Sequence, residues 1–226
     1  MNKNIFYNSL IISILIQAIT GLIDFIALLV KVPVEYNIIK QLLLMEFIVQ
    51  VIEGTFYIWL FYNFNNVVNV TPNRYFDWAI TTPTMLIQLI FYLIYLHNKN
   101  KGTTEQLDFL KLFNENLITI IQVLLLNWLM LLFGYLGEIN VIPNLLGTIL
   151  GFIPFLIYYY IIYINYATLS ETGWKVFIYF FFFWSLYGVA SALPYYIKNT
   201  FYNILDLFSK NFFGIFLSYI VLFQKY

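Results

Sequence analysis

Lys210 and Asp206 are the two residues whose types and spacing most directly suggest chemistry. Both lie in the last long apolar segment, NILDLFSKNFFGIFLSYIVL, and a spacing of four residues puts them on one face of a helix. A charged side chain at bilayer depth is costly, so it marks a functional site by default. The two charges could also form a neutral structural pair, and this segment alone favours neither interpretation.

The composition indicates a membrane environment. Of the 226 residues, 62% are hydrophobic and only 10% are charged, and the mean hydropathy is +0.81. A soluble domain is about 45–50% apolar and about 25% charged. The absence of cysteine excludes disulfides and thiolate metal sites, and a net charge of zero argues against nucleic acid as a partner. We therefore expect an integral, multi-pass membrane protein surrounded by lipid, with no metal site.

Seven apolar segments are long enough to cross the hydrocarbon core, which takes about 20 residues. Short polar or turn-forming stretches separate them, the last being KNT at 198–200, and residues 105–116 are interpreted as the amphipathic start of the fourth helix. The sequence thus predicts an all-α membrane protein, with residues 1–226 forming a single seven-transmembrane helix bundle. The predicted spans are roughly 5–30, 37–62, 74–97, 117–136, 141–166, 173–197 and 200–224.

The distribution of basic residues predicts the orientation of the bundle, because lysine and arginine favour cytoplasmic loops. With the N-terminus outside and the C-terminus in the cytoplasm, seven lysines face the cytoplasm and three basic residues face outward, while Lys210 is buried. The cytoplasmic set is Lys31, Lys40, Lys99, Lys101, Lys111, Lys175 and Lys225, and the outer set is Lys3, Arg74 and Lys198.

The third span carries a second polar signal. Arg74, Asp77, Thr81 and Gln88 follow one another at helical spacing and form one stripe. An arginine and an aspartate on one stripe of a membrane helix indicate a polar interior. Together with Lys210 and Asp206 they predict an intramembrane cluster of two cations and two anions, which could be a structural network or a site.

Several of these segments resemble the microbial rhodopsin family. The run RYFDWAITTP at 74–83 is similar to the family's third-helix signature, and DLFSKNFFG at 206–214 is similar to its seventh-helix signature around the retinal-binding lysine. The sixth span contains WSLYG at 184–188, similar to the family's Trp-Ser-x-Tyr-Pro, although Gly188 replaces the proline and puts the usual sixth-helix distortion in doubt. The fourth span has the spacing of the family's residues beside the chromophore at Asn127, Met130 and Gly134.

The resemblance implies that Lys210 binds all-trans retinal as a protonated Schiff base. Asp77 and Asp206 would be its counter-ions, because a nearby opposite charge favours the protonated form. Arg74 would lie one turn outward and balance the two carboxylates, and Thr81 would hydrogen-bond Asp77. The implied retinal pocket consists of Trp78, Thr82, Asn127, Met130, Gly134, Trp184 and Tyr187.

The family resemblance leaves open what the light reaction achieves. An outward proton pump of this family usually has a carboxylate on the cytoplasmic side of the third helix as internal proton donor, where this chain has Gln88. An amide has no titratable proton. Residues 188–205 contain no Asp or Glu that could form a proton-release group. These absences argue against a fast pump and leave a slow one open.

Two further polar stripes suggest an ion path. The first and second spans each place polar residues on one face, and Asn203 extends the polar face of the seventh. Carboxylates along such a seam could provide the field that selects cations, although interhelical hydrogen bonding would explain the same stripes. The stripes are Ser13, Gln17, Thr20 and Asp24 in the first span and Glu46, Gln50 and Glu53 in the second.

The second stripe favours a channel. A glutamate-bearing second helix resembles channelrhodopsins, and Ser13, Glu46, Gln50 and Glu53 most resemble the viral rhodopsins of the first group, described as light-gated cation channels. The scarcity of arginine suits an AT-rich genome such as that of a large DNA virus. We predict a light-gated channel for monovalent cations and protons, not an enzyme, with a path along helices one, two and seven. An outward proton pump and a photosensor are the alternatives, and homo-oligomers remain open because related proteins often form them.

Overall fold

Seven long helices form the bundle in the computed structural model, which describes residues 3–223. Lys225 and the predicted end of the seventh span at 224 lie outside the described residues. All seven helices are long and apolar enough to cross a membrane, which confirms the predicted fold class. They are Lys3–Leu29, Asn37–Asn63, Thr71–Lys101, Leu117–Glu138, Asn144–Asn165, Glu171–Ser191 and Tyr195–Phe223.

Consecutive helices pack against one another, and the first helix also packs against the seventh, which closes the bundle. The second helix contacts the seventh as well, and the third contacts the fourth and the sixth. The third and seventh helices are therefore the most deeply buried. These two helices carry the four charged residues of the predicted intramembrane cluster, Arg74, Asp77, Asp206 and Lys210. Because the number of helices is odd, the bundle has an N-terminal side and a C-terminal side, and these terms are used below.

The segment before the fourth helix differs from its prediction. Residues 105–116 do not extend that helix: they contain a 3₁₀ turn at Thr104–Gln106 and a separate short helix at Phe109–Glu115. Asp108 caps the short helix, accepting hydrogen bonds from the backbone N–H groups of Lys111 and Leu110 at 3.3 and 3.0 Å. These bonds lower the pKa of the Asp108 carboxyl. The cap starts a helix of its own, and the chain turns again before the membrane.

The boundary between the last two helices was predicted wrongly. The sixth helix ends at Ser191 and the seventh begins at Tyr195, directly after Pro194. Proline cannot donate the backbone hydrogen bond that would continue the sixth helix, and it is well suited to precede a new one. The KNT sequence at 198–200 is therefore buried inside the seventh helix and is not a loop. Hydropathy alone cannot distinguish a polar loop from polar residues that face an interior.

Lys198 forms a buried ion pair and does not face outward as predicted. Its Nζ donates to Glu138 Oε1 at 2.6 Å, and both side chains are shielded from solvent. Asn144 Nδ2 also donates to Glu138 at 3.2 Å. Arg74, also assigned to the outer side, is only 1% exposed. Of the predicted outer set, only Lys3 is exposed. The Lys198–Glu138 ion pair connects the seventh helix to the fourth on the N-terminal side of the bundle.

The fourth and fifth helices approach each other closely at two glycines. A Cβ atom at Gly147 would lie 2.7 Å from the carbonyl oxygen of Phe133 and 3.2 Å from the Cα of Gly137. Small residues permit this close backbone contact between membrane helices. The contact fixes the wall of the central cavity described below.

We predict that the Lys198–Glu138 pair contributes strongly to stability. Lys198→Met should lower the free energy of unfolding by about 3–5 kcal/mol, because it leaves the Glu138 carboxylate buried and unpaired. The double variant Lys198→Met/Glu138→Gln should recover most of that loss, measured by denaturant unfolding in detergent. Lys175→Met is the matched control, because its pair with Glu171 is exposed to solvent and exposed ion pairs contribute little to stability. Equal losses in the two lysine variants would contradict the prediction.

Candidate functional site

Lys210 is surrounded by three carboxylates supplied by three different helices. Its Nζ lies 3.3 Å from Asp77 Oδ2, 3.4 Å from Asp206 Oδ1 and 3.4 Å from Glu53 Oε1. The lysine is 2% exposed. A buried ammonium is tolerable only with opposite charges in contact, so the second, third and seventh helices must meet at this point.

A widened turn in the seventh helix holds the lysine. Residues Leu207–Asn211 form a π-helical segment, a feature that occurs frequently at functional sites. Such a turn disturbs the backbone hydrogen bonds, and side chains compensate here. The Tyr179 hydroxyl donates to the Phe208 carbonyl at 2.6 Å, and Asn211 Nδ2 donates to the Asp206 carbonyl at 3.4 Å. The seventh helix can therefore widen at Lys210 without leaving these carbonyls unpaired inside the membrane.

Asp206 is the most fully bonded of the three carboxylates. The hydroxyls of Tyr57 and Tyr187 each donate to it at 2.6 Å, and Arg74 Nη1 lies 3.7 Å from Oδ2. Hydrogen bonds and an adjacent cation both stabilise an ionised carboxylate. Asp206 is thereby held in place from the second, third and sixth helices.

Asp77 is bonded less fully than predicted. Thr81 Oγ1 donates to the main-chain carbonyl of Asp77 at 3.0 Å, so the expected bond to the Asp77 carboxylate is not formed. A helical threonine often bonds the carbonyl four residues earlier, because that carbonyl lies within reach of its hydroxyl. Asp77 Oδ1 has no hydrogen-bond partner within residues 3–223. The carboxylate of Asp77 therefore depends mainly on Lys210.

Arg74 lies on the N-terminal side of Asp206, as expected, and anchors a second layer of polar residues. Its Nε donates to Asn199 Oδ1 at 3.0 Å and its Nη2 to Asn203 Oδ1 at 2.5 Å. Ser13 Oγ donates to the Asn203 carbonyl at 3.1 Å. The structure thus brings Ser13 and Asn203 together, as the ion-path hypothesis requires. Asn199 was missed because the KNT sequence was taken for a loop.

Glu53 also belongs to the charge cluster formed by Lys210, Asp77, Asp206 and Arg74. The sequence placed Glu53 on an ion path and did not predict its contact with Lys210. Among the described residues its carboxyl has the Lys210 ammonium as its cation partner and no hydrogen-bond donor. Two cations, Lys210 and Arg74, face three carboxylates, so full ionisation would leave a formal charge of −1. Because unbalanced buried charge is costly, we expect the cluster to hold one additional proton at rest.

A largely apolar cavity extends from Lys210 between the third, fourth, fifth and sixth helices. Lys210 lies at its polar end, and seven aromatic rings contribute to its wall. The fifth helix contributes Gly151, Phe152 and Phe155, which the sequence did not identify because nothing polar distinguishes them. Six of the seven predicted pocket residues line the cavity, namely Trp78, Thr82, Met130, Gly134, Trp184 and Tyr187.

The seventh predicted pocket residue, Asn127, is not among the lining residues. It is fully buried behind them, and its Nδ2 donates to Thr82 Oγ1 at 2.8 Å. The amide therefore contacts Thr82, which does line the cavity. Asn127 therefore orients a lining residue.

Gly188, which departs from the family's proline, leaves room for an aromatic ring. The sixth helix continues unbroken through this position to Ser191. A Cβ atom at Gly188 would lie 2.6 Å from the Phe152 ring. The glycine lets Phe152 pack against the sixth helix at the cavity wall.

A polar seam lies between the first, second and seventh helices. Several of its buried atoms have no hydrogen-bond partner among residues 3–223, including both amide atoms of Gln17, Thr20 Oγ1 and Gln50 Oε1. Ordered water is what usually satisfies such groups. The predicted stripes thus meet in the interior, and the seam comprises Ser13, Gln17, Thr20, Asp24, Glu46, Gln50 and Glu53.

The fold and this site agree with comparisons to known proteins. Residues 6–224 match the family described as bacteriorhodopsin-like protein. The viral rhodopsin OLPVRII is 30% identical, with a TM-score of 0.80 over 97% of this chain and 99% of that one. Two further solved structures share the fold. A blue light-absorbing proteorhodopsin from Med12 is 22% identical, with a TM-score of 0.71 over 96% of each chain. Acetabularia rhodopsin I is 16% identical, with a TM-score of 0.76 over 98% of this chain and 95% of that one. No curated protein matches the chain.

The chain belongs to the bacteriorhodopsin-like family, the microbial rhodopsins. Members of this family bind retinal through a Schiff base to a lysine, and they are photoreceptors, channels or pumps and not enzymes. The site fits retinal, because Lys210 lies beside two carboxylates at one end of an apolar cavity with aromatic lining residues.

We predict that the tyrosine bonds to Asp206 stabilise the site. Tyr57→Phe should lower the free energy of unfolding by about 1.5–3 kcal/mol, the usual range for a hydrogen bond to a charged group. Thermal or denaturant unfolding in detergent measures it. Tyr160→Phe is the matched control, because that side chain is 63% exposed on the bundle surface. A Tyr57→Phe protein as stable as this control would contradict the prediction.

Proposed function

We propose that Lys210 carries all-trans retinal as a Schiff base. When bound, retinal supplies absorption of visible light and a light-driven isomerisation. Asp77 and Asp206 would hold the positive charge at the Lys210 nitrogen, and Arg74 would balance them. Trp78 and Trp184 line the cavity in which the apolar chain would lie.

Colour tests this attachment directly. Protein expressed with all-trans retinal should show a visible absorption band, and Lys210→Ala should abolish it because no other lysine among residues 3–223 lines the cavity. Lys175→Ala, which removes an exposed lysine, should keep the band and serves as the control. A colourless wild-type protein would refute the attachment.

We further propose that the protein is a light-gated cation channel with a path along the first, second and seventh helices. The observation that carries this proposal is the polar seam, with its unpartnered buried groups leading to Glu53 beside Lys210. Water in such a seam would hydrate a cation, and its carboxylates would favour positive charge. A change of charge at the Lys210 nitrogen would alter its contact with Glu53, and this change would affect the ion path because Glu53 lines it.

The N-terminal half of the path would be closed in this state. Arg74 binds Asn203, and Asn203 binds Ser13 through its carbonyl, so these side chains cross the route between helices. A guanidinium there also repels cations. Because Arg74 lies 3.7 Å from Asp206, a change at the lysine can reach this closure through a single side chain.

A light-driven outward proton pump is the second candidate, and one observation favours it. The carboxyl of Glu46 lies against Gln88, at the position where a pump of this family would have its internal acid. A pump would need only a proton route through this acid to the Lys210 nitrogen, and no continuous path for other cations.

Photocurrents under voltage clamp distinguish the two candidates. A channel current reverses with the ion gradient, whereas a pump current keeps one direction. We expect reversal, and Glu53→Gln should reduce the current or change its cation preference because it removes a carboxylate from the path. Glu115→Gln, a change at an exposed glutamate, should leave it unaltered. A purely outward, proton-carried current would refute the channel.

A further inference from the structure

The widened turn of the seventh helix leaves one backbone carbonyl without its usual donor. In an α-helix, the N–H of Phe212 would donate to the carbonyl of Phe208, four residues earlier. Here the Phe212 N–H donates to the carbonyl of Leu207, five residues earlier, which is the pattern of a π-turn. The Tyr179 hydroxyl, from the sixth helix, donates to the Phe208 carbonyl at 2.6 Å and takes the place of that donor.

The Phe208 carbonyl lies on the lipid-facing side of the bundle, where water does not serve it. The Phe208 side chain is 45% exposed on the bundle surface, two residues from Lys210. Hydrocarbon surrounds such a surface and offers no hydrogen-bond donor. The carbonyl is satisfied either by the Tyr179 hydroxyl, which accompanies the widened turn, or by the Phe212 N–H, which would restore an α-helical turn. The Tyr179 hydroxyl therefore favours the widened turn.

The sixth helix contacts the widened turn along one face. Tyr179, Phe183 and Tyr187 are spaced four residues apart, so they lie along one side of that helix. The Phe183 ring stacks on the Phe208 ring, with ring centroids 5.1 Å apart and an interplanar angle of 9°. The Tyr187 hydroxyl lies 2.7 Å from Ser209 Oγ. The three aromatic side chains hold the turn from one direction, and Tyr179 bonds its backbone.

The position of Lys210 depends on this turn because the lysine lies within it. A π-turn holds one residue more than an α-turn, so the residues that follow lie about 100° around the axis from their α-helical positions. The Lys210 nitrogen is nearly equidistant from Asp77, Asp206 and Glu53, at 3.3, 3.4 and 3.4 Å. Asp206 precedes the turn, whereas the other two carboxylates belong to other helices. A rotation of the turn would therefore move the nitrogen toward some carboxylates and away from others.

We propose that Tyr179 is a positioning residue for Lys210. Its hydrogen bond to the Phe208 carbonyl keeps the seventh helix widened and so places the lysine nitrogen among its three carboxylates. Tyr179 is not among the residues that line the cavity, and it acts through the backbone of the seventh helix. An interaction on the lipid-facing side of the bundle thus sets the geometry at its charged centre. Of the tests, only the one in visible light depends on the attachment of retinal to Lys210.

Aromatic packing would by itself explain the ring of Tyr179 but not the effect of its hydroxyl on Lys210. The ring centroid lies 4.6 Å from that of Phe183 and 5.3 Å from that of Phe212. Tyr179→Phe separates the two roles, because it keeps the ring and removes the hydroxyl. If the side chain served packing alone, this substitution would leave the surroundings of the Lys210 nitrogen unchanged.

Nitrogen NMR of the retinal-free protein tests the role of Tyr179 directly. With lysine labelled isotopically at Nζ, the Lys210 signal is the one that Lys210→Ala removes. Tyr179→Phe should shift this signal and leave that of the exposed Lys175 in place. Tyr219→Phe is the matched control, because it removes a hydroxyl from an exposed side chain of the seventh helix, and it should shift neither signal. A Lys210 signal that is unmoved in Tyr179→Phe would overturn the proposal.

A second substitution changes the same hydrogen bond in the opposite sense. Fluorotyrosine in place of Tyr179 keeps the ring and has a more acidic hydroxyl, so it donates a stronger hydrogen bond to the Phe208 carbonyl. The Lys210 signal should then shift in the direction opposite to that in Tyr179→Phe. This measurement does not require Tyr179→Phe to fold. A Lys210 signal that fluorotyrosine leaves unmoved, or that moves in the same direction in both proteins, would contradict the role of the hydroxyl.

The visible band of the retinal-loaded protein gives an independent readout. Carboxylates around the Lys210 nitrogen stabilise positive charge there, and they do so more before light absorption than after it, when the charge has spread away from the nitrogen. Tyr179→Phe should therefore shift the band to longer wavelength, and Tyr219→Phe should leave it in place. An unshifted band in Tyr179→Phe would refute the positioning role. A colourless wild-type protein would refute the attachment of retinal instead, and the NMR test of Tyr179 would still apply.

Discussion

The ammonium of Lys210 is buried among apolar helices, where its charge is tolerable only because carboxylates lie in contact with it. Glu53, Asp77 and Asp206 come from three helices, so this one charge requires the second, third and seventh helices to meet at a common depth. The same requirement buries Arg74, because the carboxylates exceed the single ammonium. The packing of the bundle centre follows from this balance.

The polar groups on the N-terminal and C-terminal sides of the charge cluster are bonded differently. On the N-terminal side the polar groups are tightly bonded, with Arg74 held by Asn199 and Asn203. On the C-terminal side Asp24 and Glu46 have hydroxyl and amide neighbours but no paired cation among the described residues, and several nearby atoms are unpartnered. The N-terminal half is thus closely hydrogen-bonded around a cation, whereas the C-terminal half leaves several buried polar atoms unpartnered among the described residues.

Much of the site could be predicted from sequence because helical periodicity places residues on faces. The stripe of the third helix and the spacing of Asp206 and Lys210 anticipated the charge cluster. Six of the seven pocket residues line the cavity. The differences from the prediction have local causes: Thr81 bonds a main-chain carbonyl, the Asn127 amide bonds Thr82, and Pro194 starts the seventh helix earlier than its polar residues suggested.

The sequence by itself determined the membrane class, the seven helices and the face on which each polar residue lies, because hydropathy and periodicity are properties of a single segment. Only the tertiary structure decided which faces meet. It assigned Glu53 to Lys210, Glu46 to Gln88 and Glu138 to Lys198. Those pairings depend on the relative depth and rotation of separate helices, which packing sets and no single segment encodes.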